Sequence, residues 1–93
     1  MDDMKKLGAL RGEIDGIDNE IAALFNKRME TVKQIADVKK ENCAAVTDGA
    51  REQEIIDKVT ALAKGGNAKY MKKLFLTLFE MSRDYQDEYL GNK

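Results

Sequence analysis

The chain is predicted to be all-α, with one long helix and two shorter ones per chain forming an intertwined helical homodimer. Proline is absent, and Ala, Leu, Ile, Glu and Lys dominate, as they do in helices. Leu7, Leu10, Ile14, Ile17, Ile21 and Leu24 recur at alternating spacings of three and four, the repeat of a helix packed along another helix. The stripe opens a helix running from about Leu7 to about Asn42, which at ~1.5 Å per residue is about 54 Å long, against about 30 Å for a compact monomer of this size. An apolar seam of that length needs cover, and a second copy is the simplest. The 93 residues are marginal for a lone core but enough for one domain, residues 1–93.

Beyond Leu24 the same helix changes character. At 100° per residue, Arg28, Val32, Ile35 and Lys39 fall within roughly a 60° arc continuing the apolar stripe. Two cations therefore occupy core-facing positions. Their stems can lie on the core while the heads reach water. Arg28, in mid-helix, has less room to do so, and a buried cation calls for acidic side chains or an anionic ligand nearby. Gly8, Gly12 and Gly16 form a small-residue row almost opposite the seam, open to close helix approach or simply tolerated, at about 1 kcal/mol each relative to Ala. Arg11, on the flank of the seam, reads as a surface arginine paired with Asp15 one turn on.

From about Glu41 to Asp48 the periodicity fails, and a connection is expected. Asp48 is placed as the N-cap of a second helix, from about Gly49 to Lys64, with Ile55, Ile56, Val59, Leu62 and Ala63 inward and Gly65-Gly66-Asn67 ending it. In its first turn, Glu52 complements the positive end of the helix dipole, whereas Arg51 opposes it and is left without a reason. A third helix is expected from about Ala68 to Tyr89. Tyr70, Leu74, Leu78, Met81 and Tyr85 form one stripe; Phe75, Phe79, Ser82 and Gln86 form an adjoining row that begins aromatic and turns polar. Ser82 and Gln86 either point at one small object or mark where the helix emerges into solvent. The tail Gly91-Asn92-Lys93 is expected to fray.

Composition removes several kinds of function. The formal net charge is −1 with acids and bases interspersed, so no basic track for nucleic acid or a membrane surface is expected. Neither a secretory signal nor a membrane span is read in the sequence, and a cytoplasmic protein is expected. Cys43 is the only cysteine, and there is no histidine. Cys43 can form no internal disulfide, lacks the usual base for a thiol nucleophile, and is expected to be inert. Histidine-based zinc sites, serine triads and imidazole acid–base chemistry are ruled out. Carboxylates, amides and cations remain, which suits electrostatic stabilisation of a bound anion.

The sequence resembles the all-helical chorismate mutases over nearly its whole length. The residues that carry the resemblance are Leu10-Arg11-Gly12-Glu13-Ile14-Asp15-Gly16-Ile17-Asp18, Leu24-Phe25-Asn26-Lys27-Arg28-Met29, Ile35-Ala36-Asp37-Val38-Lys39, Val46-Thr47-Asp48-Gly49-Ala50-Arg51-Glu52 and Leu78-Phe79-Glu80-Met81-Ser82-Arg83-Asp84-Tyr85-Gln86. Each segment is weakly specific, but their order and spacing together are not. The resemblance implies the rearrangement of chorismate to prephenate, on the route to phenylalanine and tyrosine, with no metal or redox cofactor. It also implies roles. Arg28 and Arg11 would clamp the two substrate carboxylates, with Ser82 adding a hydrogen bond. Lys39 and Gln86 would donate to the ether oxygen. Glu52 and the start of the second helix at Asp48 would hold the ring hydroxyl, and Arg51 would support the acidic groups. Ile35, Ile55 and Phe79 would be apolar walls. One departure from the family pattern is Ala45, before Val46, where relatives often carry proline.

Helix geometry adds a constraint. Arg11 and Lys39 are 28 residues apart, about 42 Å along a straight helix, too far for one chain to bring both to one small ligand. Arg11 would have to come from the other subunit, giving two equivalent sites per homodimer. Two other functions stay open on the sequence: an isochorismate pyruvate-lyase on the same fold, and a non-catalytic helical dimerisation module.

Overall fold

The computed structural model describes residues 2–91, and these form three helices with no strand among them: α1 (Asp2–Glu41), α2 (Gly49–Leu62) and α3 (Ala68–Leu90). The predicted class and number of helices match. The chain divides into two units after Thr31, within α1.

The first unit is the N-terminal part of α1. Asp2 and Asp3 lie in its first turn, where negative charge offsets the helix dipole. Leu7, Leu10, Ile14, Ile17, Ile21 and Leu24 are all exposed, the least so at 37 %. A Cβ added at Gly8, Gly12 or Gly16 meets nothing within 4 Å. No packing among the described residues requires these glycines, which fits the reading that they are tolerated.

The core lies in the second unit, which holds the end of α1 together with α2 and α3. Val32, Ala36, Ile56 and Phe79 are its buried apolar residues, and Ala36 has no exposure. Taking 100° per residue, Val32, Ala36 and Lys39 span roughly 60°, whereas Ile35 stands about 60° off Val32 on the other side from Ala36. Ile35 is accordingly 44 % exposed. The Tyr89 hydroxyl donates to Asp37 Oδ1 at 2.7 Å, and Lys33 Nζ stands 5.3 Å from the Tyr89 ring centre, so α3 is tied to α1 at its far end as well.

The helix ends explain themselves locally. Lys39 and Lys40 lie in the last turn of α1, where positive charge is favourable. Asn42 donates to the Val38 carbonyl through both its backbone and its side chain, and Cys43 takes a left-handed conformation, φ 54°. Asp48 caps α2 as predicted, its Oδ1 accepting from the Arg51 backbone N–H at 3.0 Å. Asp48→Ala removes that acceptor and is expected to lower stability by about 1 kcal/mol, read as an earlier urea midpoint at fixed protein concentration.

Several sequence expectations need correction here. The second helix stops at Leu62, before Lys64, because Ala63 turns extended (ψ 143°) and donates to the Thr60 carbonyl. The Gly65-Gly66 pair falls after that stop, with Gly65 supplying a positive φ in the turn to α3. Leu62, expected inward, is 66 % exposed. In α3 burial does not follow hydrophobicity alone. Tyr70 and Leu74 of the all-apolar stripe are exposed, while Phe79, Ser82 and Gln86 of the mixed row are buried. Gly91 ends α3 at φ 72°, its N–H directed to the Asp87 and Glu88 carbonyls, so the part of the expected frayed tail that is described is a formed cap; Asn92 and Lys93 lie outside the described residues.

Candidate functional site

The polar residues buried in the second unit define the site. Ser82 and Gln86 sit one turn apart on α3, at 8 % and 5 % exposure, on the row that carries the core residue Phe79. The alternative that they mark the emergence of the helix into solvent is thereby removed. Phe79 packs edge-on to Phe75, ring centres 6.3 Å apart, and fixes one apolar side of this row. The Ser82 hydroxyl donates to the Leu78 carbonyl at 2.8 Å, the back-bond available to a serine inside a helix. Gln86 Oε1 is buried with no hydrogen-bond partner among the described residues. A buried acceptor left unpaired costs about 1–3 kcal/mol, and groups kept at such a cost concentrate where a ligand is to be met. Gln86→Leu, which keeps the shape and removes the polar atoms, is therefore expected to leave stability unchanged or raise it by about 1 kcal/mol in urea unfolding.

Lys39 stands in the last turn of α1. It is half-buried, and its Nζ donates to the Val46 carbonyl at 2.7 Å. One cation thus holds the connection two residues before the Asp48 cap. Asp48 itself is exposed, with its carboxylate committed to the Arg51 backbone. Glu52, in the first turn of α2, is half-buried and accepts from Arg83 Nη1 at 2.7 Å. That pair joins α2 to α3 one residue from Ser82. Ile55 is half-buried and Phe79 buried, whereas Ile35 is exposed.

Arg51 points elsewhere. It is exposed and pairs with Glu54, one turn on in α2. Its place near the positive end of the helix, unexplained by the sequence pattern, has this local reason.

The two remaining arginines belong to the first unit. Arg28 is half-buried, and burial lowers its guanidinium pKa from the ordinary arginine value. A lowered pKa means that folding works against the cation. At any pH below both its folded and unfolded values Arg28 keeps its charge, so the desolvation cost is present throughout the neutral range and an anion relieves it. Arg11 is exposed, and no ion pair joins it to Asp15 among the described residues.

Two features of the site carry no sequence signal. Arg83 lies 31 positions from Glu52, and no helical periodicity connects residues so far apart. The Val46 contact is made by a backbone carbonyl, which every residue has.

Comparison with known proteins bears on all of these residues together. The family model described as Chorismate mutase type II matches residues 10–87, a span reaching from Arg11 to Gln86. A chorismate mutase of Methanocaldococcus jannaschii is 33 % identical over 89 residues, covering 94 % of this chain and 90 % of that protein. A bifunctional chorismate mutase/prephenate dehydratase of Buchnera aphidicola from Schizaphis graminum is 36 % identical over 76 residues, 80 % of this chain but 20 % of that protein. The corresponding bifunctional protein of Aquifex aeolicus is 39 % identical over 61 residues, 66 % of this chain and 17 % of its own length. No solved structure matches the chain at a significant level.

Proposed function

The chain belongs to the type II chorismate mutase family, and from that premise we propose that it converts chorismate to prephenate at the polar row buried on α3. The observation that carries the assignment to this row is Gln86, an amide held in the core with an unmet hydrogen-bonding atom.

The reaction is unimolecular. The carbon–oxygen bond of the enolpyruvyl ether breaks as a carbon–carbon bond forms, and the ether oxygen gains negative charge on the way. A donor aimed at that oxygen binds the transition state more tightly than the substrate, and the difference lowers the barrier. Lys39 and Gln86 are proposed as those donors. Each has a resting arrangement to leave: Lys39 exchanges the Val46 carbonyl for the ether oxygen, and a half-turn of the Gln86 amide puts Nε2 where Oε1 stands. Ser82 similarly trades its bond to the Leu78 carbonyl for a substrate carboxylate.

Arg28 and Arg11 are proposed to take the two carboxylates. The lowered Arg28 pKa supports its part, since a dianion answers the cost of burying the cation. Glu52, with the α2 start at Asp48, is proposed to hold the ring hydroxyl. Arg51, turned outward to Glu54, is assigned an indirect part in balancing these acidic groups. Ile55 and Phe79, with Ile35 at the edge, keep the flexible substrate folded into the chair needed for reaction.

In this reading the working assembly is a homodimer in which Arg11 is supplied by the other subunit. The exposed apolar stripe from Leu7 to Leu24 supports it, as a surface of that kind is not left in water. The compartment is proposed to be the cytoplasm. Cys43 is free and exposed, and no helix among the described residues is long and apolar enough to cross a membrane.

The test is turnover. Purified protein with chorismate should remove the substrate's ultraviolet absorbance and yield prephenate by product analysis. Release of pyruvate from isochorismate, with chorismate untouched, would identify a lyase; a folded dimer inert to both would identify a dimerisation module.

A further inference from the structure

We infer that Arg83 is a positioning residue that holds the Glu52 carboxylate in place for the ring hydroxyl of the substrate. The inference rests on the mutase reading and extends it to a residue that this reading does not use.

Two ion pairs among the described residues differ in kind. Arg51 and Glu54 lie one turn apart on α2, with side chains 62 % and 70 % exposed. Arg83 and Glu52 lie on different helices, with side chains 34 % and 27 % exposed and 2.7 Å between Nη1 and Oε2. Neighbours on one helix meet whatever the tertiary fold, whereas the second pair forms only when α2 and α3 are packed. At this exposure it contributes little to stability, so its use is better sought in what it orients.

Glu52 needs orienting. It sits in the first turn of α2, where its backbone N–H is fixed by the Asp48 carbonyl at 3.0 Å, but its side chain has three free torsions. Arg83 takes Oε2 and leaves Oε1 to accept a hydroxyl proton. Arg51, the nearest competing cation in sequence, is occupied by Glu54. Arg83 is anchored beside Ser82, whose side chain is buried, so the carboxylate is referred to the same stretch of α3 that carries the polar row. A guanidinium suits this better than an ammonium, because its planar fork fixes direction as well as distance.

The hydroxyl is not a reacting atom, so Glu52 contacts it about equally before and during bond exchange, and loss of such a contact appears in KM rather than kcat. The experiment compares wild type, Arg83→Ala and Arg83→Lys on chorismate and on its deoxy analogue lacking the ring hydroxyl. Arg83→Ala should raise KM for chorismate about tenfold, change kcat by less than about threefold, and leave KM for the analogue unchanged. Arg83→Lys, which keeps the charge and the stem, should give roughly a two- to fivefold rise for chorismate alone and decides the matter if the alanine variant does not fold. Equal losses on both substrates would mean a purely structural part for Arg83, and no change on chorismate would mean no part; either overturns the inference and leaves the mutase reading intact. Wild-type protein inactive on both substrates overturns the mutase reading, and this role with it.

Discussion

Replacing Lys39 or Gln86 by alanine is expected to lower kcat on the order of 10²- to 10³-fold with helix content unchanged. The size follows from what each residue is proposed to do. A donor that meets the ether oxygen only as charge builds there stabilises the transition state selectively, and its removal appears in kcat with little change in KM. The fold should survive both changes. Lys39 is half-buried, with its Nζ bonded to the Val46 carbonyl of a connecting segment. Gln86 is buried, but its Oε1 bonds to nothing among the described residues, so no such bond is lost. Steady-state kinetics on chorismate, with circular dichroism as the control on folding, make the measurement. A loss below tenfold in either variant contradicts the donor role.

Gln86 also shows how stability and function separate in this site. The leucine variant should unfold no more easily than wild type, and the alanine variant should lose activity. A residue kept for packing would give the opposite order, stability falling with its truncation and kinetics little affected.

Much of the fold could be read before any coordinates. The stripe from Leu7 to Leu24 has a period that only a helix satisfies, and Asp48 has the side chain and position of a cap; both stand in the structure. The end of α2 was misjudged because Gly65 and Gly66 are strong punctuation, yet Ala63 had already turned the chain using an ordinary extended conformation. The burial order in α3 was only half visible. Hydropathy favours Tyr70 and Leu74, but both are exposed, whereas Ser82 and Gln86 fall on the face that α3 turns to the core. Periodicity gives the faces of a helix and leaves open which one meets a partner.

The site was legible to a different degree. That Arg28 and Lys39 share an arc with Val32 follows from 100° steps along one helix, and both residues are half-buried. The role of each residue came from the resemblance, and the family match over residues 10–87 supports the family without assigning a role to any one of them. The Arg83–Glu52 pair could not be read at all, since it depends on how two helices separated by a turn settle against each other. Arg51 was equally opaque: the sequence places Glu54 one turn away, but only the structure shows the two side chains joined.

The claim with the most at stake is that one active site draws on two chains. Arg11 and Lys39 are too far apart along α1 for a single copy to bring both to one substrate, about 42 Å if the helix is straight. Arg11→Ala and Lys39→Ala, each inactive alone, should therefore complement. Random exchange of subunits makes half the dimers mixed, and each mixed dimer has one site with both side chains intact and one with neither. Mixing the two variants in equal amounts under exchange conditions is expected to restore up to about a quarter of wild-type activity. Activity that stays at the level of the separate variants, with exchange verified by mass-tagged subunits, would contradict the shared site.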